Sequence, residues 1–275
     1  MKLKRTDFFK PLRQSLALMA MLLSAAVWSG CSTVPVTGRS QLNFMSPASE
    51  MELGLASFDQ MKKEIPLSHD VYAKALVQKV GQKVAAIAAP DMVDAQWEFV
   101  VFESKEANAF CLPGGKVGVY TGILPITKDE AGLATVIGHE IAHAVARHGG
   151  ERISQAMVIQ SGGSLLGAGL ANTDPRIQSA AMLAYGVGSK VGAELPFSRA
   201  QESEADRIGL IYMARAGYDP EQAVKFWERF AAFNQQQGGE TVWFLSTHPL
   251  NEDRIKQLKE WMPEARGAAR AAGVQ

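Results

Sequence analysis

Gly138-His139-Glu140-Ile141-Ala142-His143 is the stretch from which the rest of the chain is read. Around it Ala134, Val136, Ile137, Ala144 and Val145 leave almost no polar side, so the pattern predicts a buried helix. Four residues turn a helix through about 400°, so His139 and His143 project from one face, a turn apart. Two imidazoles so placed can take two corners of a zinc tetrahedron. Glu140 leaves the helix at another angle, from which it reaches a metal-bound water without ligating the metal. Two histidines and a glutamate inside a buried helix need polar partners, and a metal supplies them.

A catalytic zinc takes three protein ligands and keeps one position for water. Ser198-Arg199-Ala200-Gln201 opens a further helix that carries Glu202, Glu204 and Asp206. Glu202 and Asp206 are four residues apart and share a face. Glu202 is expected to be the third ligand, and Asp206 the acceptor that fixes the tautomer of a ligand histidine. Glu204 points elsewhere and reads as a solvated acid. His148 stands five residues after His143, about 140° away on a continuous helix, which excludes it as a ligand. It is expected near the helix C-terminus, where a cation is mildly favoured.

The chain has 275 residues with 28 Lys+Arg and 28 Asp+Glu, so no basic excess points to nucleic acid. The N-terminus is uneven: Lys2, Lys4, Arg5, Lys10 and Arg13 stand against Asp7 alone. An apolar run from Leu16 to Trp28 follows, then Ser29-Gly30-Cys31, which reads as a secretory signal ending at a lipidated Cys31. By resemblance to lipoprotein sorting, Ser32 favours the periplasmic face of the outer membrane. Cys111 is the only other cysteine, so no disulfide is expected.

Residues 32–45 read as a polar tether. Ser46-Pro47 and Ser68-His69-Asp70 each open a helix. His69 carries no assigned chemistry. Trp97 to Phe102 is a strand. Asn108 to Gly115 is a turn, and Lys116 to Thr121 a second strand, giving a hairpin or meander whose edge could pair with an extended peptide. Thr127-Lys128-Asp129-Glu130 reads as the capping box of the zinc helix, which is expected to run to about His148 and be interrupted by Gly149-Gly150. Residues 151–197 predict two helices packed through small residues, too short and too polar to span a membrane, with a lid as one possible use. The expected organisation is a signal peptide over 1–30, a tether over 31–45, a metallopeptidase domain over 46–265 and a flexible tail over 266–275. The fold class is α+β, mostly α.

His139-Glu140-x-x-His143, Ser198-Arg199-x-x-Glu202-x-x-Ala205-Asp206 and His248-Pro249 together resemble the CAAX-prenyl-protease and HtpX-type zinc metallopeptidases, more narrowly their periplasmic lipoprotein branch. Asn108-Ala109-Phe110 with Leu112-Pro113-Gly114-Gly115, and Pro35-Val36-Thr37-Gly38-Arg39, extend the match. The resemblance implies a gluzincin-type fold with a small sheet beside the H-E-x-x-H helix, one Zn2+ per chain, and His248 at the site. There His248 would donate to an oxyanion or block the fourth metal position. It also implies proteolysis of other envelope proteins, expected to be misfolded or misassembled ones; the strands over 108–121 are where the residues themselves offer an edge for that polypeptide, and no protein partner is assigned. The alternative is a chaperone-like or adaptor lipoprotein with a structural zinc site. A third reading is a latent protease gated by residues 151–197.

Overall fold

The computed structural model describes residues 31–190, 195–236, 244, 248 and 252–274. The expected signal over 1–30 lies outside these residues. The elements in chain order are β1 (Cys31–Thr33), β2 (Ser40–Leu42), α1 (Pro47–Glu64), α2 (Val71–Ala88), β3 (Glu98–Phe102), β4 (Ala109–Leu112) and β5 (Lys116–Tyr120). Then come α3 (Leu124–Thr127), α4 (Glu130–Val145), α5 (His148–Gly169), α6 (Pro175–Ser189), α7 (Leu195–Arg215), α8 (Glu221–Gln236) and α9 (Glu252–Ala271). The fold is α+β and mostly helical, with its small sheet beside the H-E-x-x-H helix α4.

Local chemistry accounts for the helix starts. Ser46 Oγ accepts from the Ser49 amide at 3.1 Å ahead of Pro47, and Asp70 Oδ1 accepts from the Tyr72 amide at 2.8 Å. The H-E-x-x-H helix differs from the expected capping box. Asp129, not Thr127, is its N-cap and accepts from the Gly132 amide at 2.8 Å. Thr127 closes the short α3 instead, its hydroxyl donating to the Leu124 carbonyl at 2.9 Å. Lys128 turns the chain between the two at φ 69°.

The sheet order is β3-β5-β4. β4 and β5 form an antiparallel hairpin through Gly114 (φ 86°) and Gly115 (φ 78°). β3 pairs with β5 in parallel, Val101 opposite Val119. The segment read as a turn over 108–115 therefore contains an outer strand, and only its last residues turn. Phe58 and Tyr120 each pack edge-on against Phe102 and Phe110 on one face of the sheet. Val117 and Val119 enter the main core on the other.

α4 is buried continuously from Gly132 to His143, with α2, β4, α7 and α8 packed around it. It meets α7 at Gly138 and Gly209. A Cβ on Gly209 would lie 2.8 Å from the His139 amide nitrogen and 2.9 Å from the Gly138 carbonyl carbon. Both are backbone atoms that cannot swing aside. Gly209→Ala is therefore expected to push the two helices apart, at about 1–3 kcal/mol. Thermal unfolding of the metal-free protein reads this directly, and an unchanged melting temperature would contradict it.

Two expectations are corrected at the end of α4. The helix stops at Val145, and Arg147 takes a left-handed conformation (φ 55°), held by Glu50 at 2.8 Å and the Met45 carbonyl at 2.6 Å. α5 then starts at His148 and runs through Gly149-Gly150 without a break. Gly150 is needed for space, because a Cβ there would collide with Glu50 Oε1 at 1.7 Å. α5 and α6 form an arm that packs through Gly162 against Tyr185, whose hydroxyl donates to the Ile159 carbonyl at 2.7 Å. Among the described residues no helix is long and apolar enough to cross a membrane. Two segments expected to be irregular contain regular structure. Residues 31–45 contain the β1–β2 hairpin, and the tail from 266 continues α9 to Ala271.

Candidate metal centre

α4 supplies His139 and His143, α7 supplies Glu202, and His248 joins them from between α8 and α9. One ligand atom from each of the four lies within 4.8 Å of all the others. His139 Nε2 is 3.1 Å from His143 Nε2, 3.2 Å from His248 Nδ1 and 3.3 Å from Glu202 Oε2. His143 Nε2 is 3.3 Å from Glu202 Oε1, and His248 Nδ1 is 2.9 Å from Glu202 Oε2. Four ligands at roughly 2.0–2.1 Å around a tetrahedral zinc would stand about 3.3–3.4 Å apart. The five contacts above, at 2.9–3.3 Å, come close to those edges, with both Glu202 oxygens taking part.

Its electrostatics also call for a cation. All four side chains are buried. Glu202 Oε1 and Glu140 Oε1 are buried without a hydrogen-bond partner. Burial alone would raise the Glu202 carboxyl, yet the imidazoles of His143, His139 and His248 hold it well below the usual carboxylate range. Burial drives the His143 imidazole down. In His139 burial is overcome by Asp206 and Glu202, which push it up to about 9. The carboxylates thus favour positive charge at His139, where a metal would bring its own. The donor set fits a borderline divalent ion such as zinc.

Behind His139, Asp206 Oδ1 lies 3.0 Å from Nδ1. Asp206 is itself gripped by Arg254, with Nε 2.5 Å from Oδ2 and Nη2 2.8 Å from Oδ1. The Arg254 guanidinium lies 3.5 Å above the Trp227 ring. Nothing in the sequence pattern marked Arg254 or Trp227, because their pairing crosses three helices.

Glu140 stands beside the cluster, its Oε1 3.4 Å from His248 Nε2. Burial pushes its carboxyl above the usual range, against the lowering influence of His248 and His139. That is the direction a general base working near neutral pH needs. β4 runs alongside, and burial together with the Glu140 charge pushes the Cys111 thiol up.

Two side chains differ from expectation. Glu204 is 7% exposed rather than solvated, and bonds His148, Arg39 and the Thr37 hydroxyl. His148 remains outside the ligand cluster, but it is fully buried and burial lowers its imidazole. It is not a cation at a helix end, because the turn at Arg147 redirects it inwards.

An H-E-x-x-H helix with a glutamate from a second helix closing the metal cluster defines a metallopeptidase centre. A model of Peptidase family M48 matches residues 73–262, and the chain belongs to that family. The mitochondrial metalloendopeptidase OMA1 of Schizosaccharomyces pombe is 37% identical over 239 residues, covering 84% of this chain and 66% of the relative. That of Saccharomyces cerevisiae is 34% identical over 273 residues, 93% of this chain and 76% of the relative. The β-barrel assembly-enhancing protease of Escherichia coli is 28% identical over 265 residues, 91% of this chain and 53% of the relative. The chain thus spans from about half to three quarters of these relatives' lengths. One expectation is overturned here. Two mitochondrial proteins stand above the bacterial one in identity, so the comparisons contradict the placement by a lipidated Cys31 on the periplasmic face of a bacterial outer membrane.

Proposed function

We propose that the protein is a zinc endopeptidase that hydrolyses peptide bonds of unfolded or misassembled polypeptides, with His139, His143 and Glu202 as metal ligands and Glu140 as general base. The observation that carries this reading is the compact set of four buried ligand side chains with Glu140 Oε1, buried and without a hydrogen-bond partner, beside it. Zinc, when bound, supplies Lewis acidity, polarising a carbonyl and lowering the pKa of water to about 7. Glu140 takes a proton from the attacking water as its oxygen bonds the peptide carbon. The same carboxyl then gives the proton to the amine as the C–N bond breaks. Asp206 holds His139 in the tautomer whose Nε2 faces the cluster. The outer edge of β4 has no strand partner among the described residues, and it runs beside Glu140. This supports seating an extended substrate there through backbone hydrogen bonds.

The test is hydrolysis of an unfolded polypeptide by the full chain. Removing metal with a chelator should stop cleavage, and one equivalent of zinc should restore it. Cleavage that persists in metal-free protein would sink the reading.

His248 favours a second feature of the same reading. It takes the fourth corner of the cluster, where water would have to enter, and donates from neither nitrogen into open space. His248 would then hold the enzyme in a resting form. His248→Ala should raise the rate of polypeptide cleavage while keeping zinc; a rate that falls would make His248 a contributor to turnover instead.

A further inference from the structure

We propose that His148 is a positioning residue for the metal centre, holding the ligand His143 through a relay that ends on Glu204 and Arg39, so that residues 31–45 form part of the site. This role presupposes the metal centre proposed above. His148 Nδ1 lies 2.8 Å from His143 Nδ1, and His148 Nε2 lies 3.0 Å from Glu204 Oε2. The same Glu204 oxygen accepts from Arg39 Nε at 2.7 Å, and its other oxygen accepts from the Thr37 hydroxyl. Arg39 also forks onto the buried Glu151, both contacts at 2.8 Å.

With a metal on His143 Nε2, the hydrogen-bond roles along this chain admit one assignment. His143 turns Nε2 to the cluster, so its ring proton sits on Nδ1. That N–H donates to the lone pair on His148 Nδ1. The His148 proton is then on Nε2, and it donates to Glu204. Glu204, receiving from Arg39 and Thr37 as well, can only accept. Arg152 Nη2 also comes within 3.3 Å of His143 Nδ1, a longer contact than the 2.8 Å to His148 Nδ1, while Arg152 Nε donates to Gln201 Oε1 at 2.9 Å. Were Arg152 the donor, the His143 proton would move to Nε2 and bar that nitrogen from any metal.

The two ligand histidines are thus held by different means. His139 meets the carboxylate of Asp206 directly. His143 meets that of Glu204 through an intervening imidazole. The left-handed Arg147 makes this possible by ending α4 and starting α5 with His148 beneath His143. Pro35-Val36-Thr37-Gly38-Arg39 supplies the far anchor rather than a tether.

The test measures zinc affinity of the full chain by competition with a chromophoric chelator, alongside the visible spectrum of the Co2+-substituted protein. His148→Leu removes both the acceptor and the donor and should weaken zinc binding by about 10–100-fold. His148→Gln restores one acceptor and one donor and should recover most of that loss and the parent Co2+ spectrum. Arg39→Met leaves Thr37 on Glu204 and should give a smaller loss. A Leu variant that binds as tightly as the parent overturns the relay, as does a Gln variant no tighter than Leu. If His148→Leu does not fold, parent-like affinity and spectrum in Arg39→Met overturn it. A parent chain that takes up no zinc would instead refute the metal centre itself.

Discussion

Replacing Glu140 with Gln is expected to leave one zinc per chain and to lower the rate of polypeptide hydrolysis by about 10²–10⁴-fold. The side chains have nearly the same shape, so packing is preserved in a pocket where Glu140 is 4% exposed. What changes is basicity. The amide cannot take a proton from water or return one to the amine. Zinc content should not fall, because Glu140 is outside the ligand cluster. Metal analysis and a cleavage assay on one preparation check both halves. Full hydrolysis by the variant would remove Glu140 from the mechanism. Loss of zinc would make it a ligand.

Replacing Glu202 with Ala should have the opposite signature. It removes the one anionic member of the four-residue cluster, and its carboxylate touches all three histidines, at 2.9 Å from His248 and 3.3 Å from His139 and His143. Metal affinity is expected to fall by more than the roughly 10–100-fold typical of losing a residue that only supports a ligand. Hydrolysis should disappear with the metal at ordinary zinc concentrations. Asp206 and Arg254 would remain paired, so the α7 helix should keep its place. Zinc titration of the variant decides the matter: parent-like affinity would mean that another side chain closes the cluster.

Much of this was legible in the sequence because it depends on short-range periodicity. Histidines four apart on a helix must face one way, and so must Glu202 and Asp206. Helix starts at Ser46 and Asp70 follow from which side chains can accept an exposed backbone N–H. The remainder depends on distant contacts. β3, which packs on α2, pairs in parallel with β5, which meets α4, and local pattern does not distinguish that from a meander. Gly149-Gly150 reads as a helix break, yet Gly150 is there because Glu50 and Asn43 crowd it. Arg147 makes the break without any glycine to announce it. Glu204 faces away from Glu202 on its helix, as spacing requires, but what it faces is Arg39 from the N-terminal hairpin rather than water. The supporting residues behind the ligands, His148, Arg254 and Arg39, come from segments that share no motif.

The central claim is that one metal ion sits among His139, His143 and Glu202. Crystals of the zinc-loaded full chain, measured on both sides of the zinc absorption edge, address it directly. The account predicts a single anomalous peak bonded to His139 Nε2, His143 Nε2 and a Glu202 oxygen. A peak away from these atoms, or bonded to Glu140 in place of Glu202, would contradict it.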